Sequence, residues 1–327
     1  MNRRDSLSAA AETTDRLVQV ARAYYLDDQT QEQIALTLGV SRSLVSRLLR
    51  MARERGIVRV EVVDPALASM ELVTVVRRCF PHLRQVVIAP TMSGSPDAVR
   101  AMVGRYGAQF LHSALEPNQH LAIGCGRTLR ALVDAMSPRQ THTRVVQAMG
   151  NIGHEAQSVD YNEIAWQAAE ALGGRAYYLS APAVLGRTSA DAASFIAGNP
   201  SLKVTLDLAR NAQMFVVGIG SIESEQLYVR SGLIAQEELD TLHGAVGDIC
   251  GRFFDIEGHE LPAPFSNRMV GITLDDLKNA PLSIGVAAGS EKVSAILGAL
   301  RGRFINVLVS DEQTVRSVVE LAEVARQ

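Results

Sequence analysis

The chain has 327 residues, 47% hydrophobic and 20% charged, which is globular composition with length for a small domain beside a larger one. No apolar stretch is long enough to span a bilayer, and Arg3 and Arg4 are not followed by an apolar run, so neither a membrane span nor a secretory signal is read and the expected location is the cytoplasm. The net charge of -3 is segregated: residues 1–62 hold ten basic and eight acidic side chains, leaving -5 for the remainder.

Residues 1–14 read as a mobile tail, residues 15–64 as a small helical domain, and residues 65–327 as a larger one. Leu17, Val18, Ala21, Tyr24 and Tyr25 space a first helix. Thr30 and Gln33 form the sequence of a capping box, Ile34, Ala35 and Leu38 give an inner stripe, and Gly39 ends the second helix. After a tight turn, a third helix starts at Ser41 with apolar residues at Leu44, Val45, Leu48, Leu49 and Ala52. Two short helices joined in this way make a helix-turn-helix.

Between Ser41 and Val60 stand six arginines and one acid. A charge run on a small bundle is commonly only a solvated face. Here small hydroxyls open the helix and arginines follow one turn apart, an arrangement suited to the major groove of double-stranded operator DNA. Ser41, Arg42, Ser43, Ser46 and Arg47 are the candidate contacts on that helix. Gln31 and Tyr25 are candidates for the backbone. Residues 57–65, IVRVEVVDP, alternate like a strand and suggest a short wing or a boundary near Asp64.

The second domain alternates strand and helix patterns. QVVIAP, LAIGCG, VVQAMG, AYYLSAP, MFVVGIG, LSIGVAAG and INVLVSD read as strands buried on both faces, which predicts a doubly wound, Rossmann-like parallel α/β sheet. In such sheets ligands sit beyond the carboxyl ends of the strands. The residues there are Gly124, Cys125, Gly126, Arg127 and Thr128 after one strand, Gln147, Gly150 and Asn151 after another, and Gly218, Gly220 and Ser221 after a third. Gly124 to Thr128 form a phosphate cradle in outline, although a tight strand-to-helix turn has nearly the same sequence.

Lys292 is one of three lysines among 32 basic residues and opens a helix, where an ammonium is unfavourable unless an anion neutralises it. Arg230 is a second candidate for an anion. Asp248, read as following a helix and preceding an apolar strand, is placed to accept from sugar hydroxyls or to cap a turn. Cys79, Cys125 and Cys250 are too far apart for a paired zinc site and odd in number for a disulfide framework, so no metal or cofactor is expected.

The ordered set YYLDDQTQEQIALTLGVSRSLVSRLLRMARERGIVRVEV, GCGRTL, VVQAMGNIG, YYLSAPAV, VVGIGS, GAVGDICGRFFD, GITLDDLK and VAAGSEKVSAILGALRGRFINVLVSDE resembles the SorC family of sugar-responsive bacterial transcriptional regulators, over nearly the whole chain after the tail. The resemblance implies a winged helix-turn-helix joined to a sugar-binding effector domain of the sugar-phosphate isomerase and glucosamine-6-phosphate deaminase type. It implies assembly as dimers and tetramers on a roughly palindromic operator. By matching positions it assigns Gly124, Gly126, Arg127, Thr128 and Lys292 to a phosphate and Gln147 and Asp248 to sugar hydroxyls, of a sugar, polyol or sugar phosphate. Arg127 stands where some members have a small hydroxyl or glycine. The competing reading is an enzyme, an isomerase or deaminase with His154, Glu155, Asp160 and Glu163 as acid-base candidates and Lys292 as a Schiff-base former. No compact acid-base motif supports it.

Overall fold

The structure is a computed structural model describing residues 15–58, 65–90, 94–153, 160–186, 191–222 and 226–324. The chain divides into two compact units, Met1–Asp64 and Pro65–Gln327.

The first unit is built on α1 (residues 15–25), α2 (Gln31–Leu38) and α3 (Arg42–Glu54). The capping box closes as its sequence requires: Gln33 N–H donates to Thr30 Oγ1 at 3.2 Å, and Thr30 N–H donates to Gln33 Oε1 at 2.8 Å. Gly39 ends α2 in the left-handed region at φ +63°, and Ser41 caps α3 by accepting from Leu44 N–H at 3.3 Å. Leu17, Val20, Ala21, Ile34, Val45, Leu48 and Leu49 meet in the core. One phase differs from expectation. Val18 and Tyr25 are each 38% exposed, because the buried stripe of α1 runs Leu17, Val20, Ala21 and Tyr24, and positions 18 and 25 fall on the outer side of the same helix. The expected wing falls partly on residues 59–64, outside the described residues.

The second unit begins with α4 (Pro65–Cys79), β1 (Gln85–Ala89), α5 (Pro96–Ala114), β2 (His120–Ile123), α6 (Arg127–Asp134), β3 (Arg144–Gln147), α7 (Tyr161–Ala171) and β4 (Arg175–Tyr177). It continues through α8 (Ala192–Ala197), α9 (Pro200–Arg210), β5 (Met214–Gly218), β6 (Gly220–Ser221), α10 (Gln226–Arg230), α11 (Gln236–Leu239), β7 (Ala245–Ile249) and β8 (Arg252–Asp255). Last come α12 (Leu274–Lys278), β9 (Leu282–Val286), α13 (Val293–Arg301), β10 (Val307–Asp311) and α14 (Glu312–Val324).

Seven strands form a parallel sheet in the order β1-β10-β9-β5-β2-β3-β4, and they are the seven runs that the sequence marks as strands. Burial on both faces explains their near-continuous apolar character. Met214 and Val216 of β5 enter one core with Val103 of α5, Leu129 of α6 and Ile164 of α7. Phe215 and Val217 enter the other with Val76 of α4, Ile296 of α13 and Val318 of α14. From β2 the chain winds outward to β3 and β4, then returns to β5 on the other flank of β2 and winds through β9 to β10. The β2/β5 seam is therefore the topological switch point, where the loops leaving two neighbouring strands part and open a crevice.

A three-stranded antiparallel sheet, β6-β7-β8, lies outside the parallel one. Its hairpin turns on Cys250 and Gly251 at φ +51° and +76°, the pair of left-handed residues that a type I′ turn requires. This corrects the reading of Asp248. It lies within β7, opposite Phe253 of β8 and Gly220 of β6. The apolar strand after the turn is β8, as read, whereas the run AVGDI, broken by a glycine and an acid, does not declare a strand.

Candidate functional site

In the first unit, Arg42, Ser43, Ser46, Arg47 and Arg50 are exposed on α3, on the side away from Val45, Leu48 and Leu49. Ser41 Oγ and Ser43 Oγ lie 2.9 Å apart at its start. The first turn of α3 holds no acid, in contrast to Glu32 in α2, so the positive end of its dipole is not neutralised by a neighbouring side chain. Gln31 is half-buried at the first position of α2, Tyr25 is exposed, and Tyr24 packs edge-on against it at 4.9 Å while partly joining the core. The face combines hydroxyls, amides and guanidinium groups that fit phosphates and base edges.

In the second unit the crevice is assembled from strand ends. Gly124 continues the line of β2, its N–H donating to Val216 O of β5 at 2.8 Å. Gly126, at φ +131°, starts α6 with no side-chain cap, whereas α5 and α7 are capped by Ser95 and Asp160. The amides at the start of α6 thus keep their donors for a ligand or water. Arg127 is exposed, Thr128 and Cys125 are half-buried, and Gly218 lies so close that an added methyl group would sit 3.1 Å from Cys125 O.

Asp248 forms the polar floor. It is 8% exposed, and its Oδ2 accepts from Gly251 N–H at 2.9 Å and from the Tyr228 hydroxyl at 3.3 Å. Burial pushes its carboxyl above the usual range, against the pull of the Gly251 N–H, the Lys292 charge and the Tyr228 hydroxyl. Lys292, half-buried at the start of α13, donates to Ser221 Oγ at 3.3 Å. The anion demanded by its position is thus partly supplied from within the chain, by Asp248. Burial and the nearby Asp248 charge also raise the Tyr161 and Tyr228 phenols well above their ordinary value and the Cys250 thiol to about 12, so all three remain protonated at neutral pH.

Not every expected residue reaches this cluster as an open ligand group. Gln147 is buried and braced: its Nε2 donates to Asn162 Oδ1 at 2.9 Å and its Oε1 accepts from Leu179 N–H at 2.9 Å, leaving one N–H and one lone pair. Gly150 fits under Ala181 O and Pro182 O, each 2.6 Å from where a methyl group would be, and Asn151 pairs by its backbone with Ala181 and Ala183. Arg230 is exposed and lies about 200° around α10 from Tyr228. Of the enzyme-type candidates, Asp160 caps α7 at Asn162 N–H, 2.7 Å, and Glu163 pairs with Arg130 at 2.9 Å; His154 and Glu155 lie outside the described residues. Sequence reasoning missed Tyr161, Tyr228 and the Cys250–Gly251 turn. A two-residue turn ending in glycine between short apolar runs signals the last, whereas no local pattern marks the tyrosines.

The buried charge on Asp248 has a testable consequence. Below the ordinary value of 3.8 both the folded and unfolded chains hold the proton and nothing is lost. As pH rises through that value towards the raised folded one, the unfolded chain ionises first and stability falls, staying lower above it. Asp248→Asn is isosteric and stays neutral, so its melting temperature should exceed that of the unmodified chain at pH 7, with the difference closing in acid. A melting series by circular dichroism from pH 3 to 8 reads this; equal melting temperatures at pH 7 would exclude a net cost for the buried charge.

A family model described as a putative sugar-binding domain matches residues 64–320. The chain is 34% identical over 307 residues to the deoxyribonucleoside regulator of Bacillus subtilis (strain 168), covering 92% of this chain and 96% of that one. It is 30% identical over 310 residues to the sorbitol operon regulator of Klebsiella pneumoniae, covering 93% and 97%. The crystal structure of that full-length regulator, SorC, superposes with a TM-score of 0.72 at 29% identity, covering 94% of this chain and 98% of that one.

Proposed function

The chain belongs to the SorC family of sugar-responsive transcriptional regulators, not to the enzymes, and from that membership we propose which residues read its operator and which hold its effector. Arg42, Ser43, Ser46 and Arg47 of α3 read the major groove, while Ser41, Gln31 and Tyr25 hold the backbone. Residues 15–64 serve as the DNA-binding domain and residues 65–327 as the effector and oligomerisation domain. Dimers place two α3 helices on a roughly palindromic operator in the cytoplasm, and pairs of dimers bridge neighbouring sites.

The effector is a sugar or polyol, phosphorylated in the form that binds most tightly. Gly124, Gly126, Arg127 and Thr128 with the start of α6 take the phosphate together with Lys292, and Asp248 with Gln147 and Ser221 takes hydroxyls. Cys125, Gly218 and Gly220 shape the crevice, and Gly150 and Asn151 fix its wall. The observation that carries this reading is the meeting of Lys292, Ser221 and Asp248 beside a helix start without a side-chain cap, at the switch point of the sheet. An effector that weakens operator binding about 100-fold needs a coupling free energy of about 2.7 kcal/mol, within the range of a few charge-assisted hydrogen bonds made in one state only.

A thermal-shift screen of the full-length chain against sugars, polyols and their phosphates, repeated with Lys292→Ala, tests the effector assignment. A phosphorylated ligand at about a hundred times its Kd should raise the melting temperature by about 5–10 °C, and much less in the variant. An unphosphorylated ligand stabilising both proteins equally would remove Lys292 from the phosphate.

A further inference from the structure

We propose that Asp311, assisted by Thr314, is a positioning residue that fixes Lys292 for anion binding; the inference rests on the effector reading above. Lys292 is delivered by the turn that follows β9, where Gly289 stands at φ +107° and a 3-10 turn runs Ser290–Lys292. Both polar groups of Gly289 are engaged. Its carbonyl accepts from Lys292 N–H at 3.0 Å, which closes the turn. Its N–H reaches across to the next strand and donates to Asp311 Oδ2 and to Thr314 Oγ1, each at 3.1 Å.

Asp311 is the last residue of β10 and is 5% exposed. Its Oδ1 accepts from Thr314 N–H at 2.9 Å, and its Oδ2 accepts from the Thr314 hydroxyl at 2.7 Å. Capping α14 needs only the first of these bonds. The second oxygen gathers the Thr314 hydroxyl and Gly289 N–H, so one buried carboxylate ties the start of α14 to the turn that bears Lys292. A charge-assisted backbone anchor of this kind holds the turn in one geometry, from which Lys292 Nζ reaches Ser221 Oγ at 3.3 Å. An ammonium already held there loses little freedom when an anion arrives, and preorganisation shows in affinity.

The test titrates inorganic phosphate into the full-length chain and reads its Kd from the shift in melting temperature and from isothermal calorimetry. Asp311→Asn removes the charge and turns one of the two accepting oxygens into a donor facing another donor, and should weaken phosphate binding about 10-fold. Combined with Lys292→Ala it should weaken binding no further than Lys292→Ala alone, a result that a merely structural loss would not give. Ser95→Ala, which removes the cap of α5, should lower the melting temperature and leave the phosphate Kd unchanged. Thr314→Val keeps the carboxylate and should weaken phosphate about 3-fold, giving a reading even where Asp311→Asn does not fold. An unchanged Kd in Asp311→Asn or Thr314→Val, or additive losses in the double variant, overturns the positioning role while leaving the effector reading intact. Absence of any phosphate response in the unmodified chain overturns the phosphate part of the effector reading, and the positioning role with it.

Discussion

Arg47→Ala should abolish retardation of an operator fragment selected from random-sequence DNA by the full-length chain, at protein concentrations that shift the fragment completely without the substitution. Arg47 is exposed on α3, on the side opposite the buried Val45, Leu48 and Leu49, so its removal leaves the core of the first unit untouched. A bidentate arginine-guanine pair contributes about 1–3 kcal/mol of discrimination. The proposed dimer would present the residue twice, making the loss about 2–6 kcal/mol, or from about 30-fold to more than 10,000-fold in Kd. The melting temperature and effector affinity should stay within error. Retention of full retardation would remove Arg47 from the reading face and leave Arg42 as the base-reading arginine.

Gly220→Ala should eliminate effector binding and lower the melting temperature together. The added methyl group would fall 1.8 Å from Asp248 Oδ1 and 3.0 Å from its Cγ, an overlap that must be relieved by moving the carboxylate. Moving it breaks the bonds from Gly251 N–H and Tyr228 in a largely buried site, at a cost of about 1–3 kcal/mol for a donor left unsatisfied. Effector affinity should fall by more than about 100-fold if Asp248 accepts sugar hydroxyls as proposed, since its carboxylate is displaced. Calorimetry with a stabilising ligand from the sugar and sugar-phosphate screen, alongside a melting curve, measures both. Unchanged affinity would mean that Asp248 lies outside the ligand contacts. Gly124 offers a contrast in packing within the same crevice: a methyl group there meets its nearest neighbour at 3.4 Å, so Gly124→Ala should lower the melting temperature far less.

These two glycines also show what a sequence can and cannot disclose about such a site. Both stand at strand ends, and their position after apolar runs marks them as crevice residues. That Gly220 must be bare because Asp248 lies against it depends on the pairing of β6 with β7, two strands separated by α10 and α11. The parallel sheet is legible because each strand is buried on both faces, which writes an uninterrupted apolar run into the sequence. The helix-turn-helix is legible because its caps are local, Thr30 with Gln33 and Gly39 with Ser41. The antiparallel sheet is obscure for the opposite reason: β6 has two residues and β7 carries the buried Asp248. Tyr161 and Tyr228 come from separate helices, and no spacing rule connects them to Asp248. The misreading of Val18 has a third cause, a helix too short for apolar periodicity to fix its phase when Val18 and Val20 are equally hydrophobic.

The pairing of β1 with β10 bears on how the protein is made. β10 lies between β1 and β9, so the first strand of the sheet has no neighbour until one of the last segments has left the ribosome. At ordinary elongation rates roughly 10–50 s separate synthesis of residue 58 from that of residue 311. During that interval the helix-turn-helix has all of its core residues available, while the larger unit carries an exposed edge and an unfinished hydrophobic layer. The nascent chain therefore completes the helix-turn-helix before it completes the parallel sheet of the second unit. Translation stopped before β10 would leave a complete helix-turn-helix attached to a second unit whose sheet lacks the strand between β1 and β9.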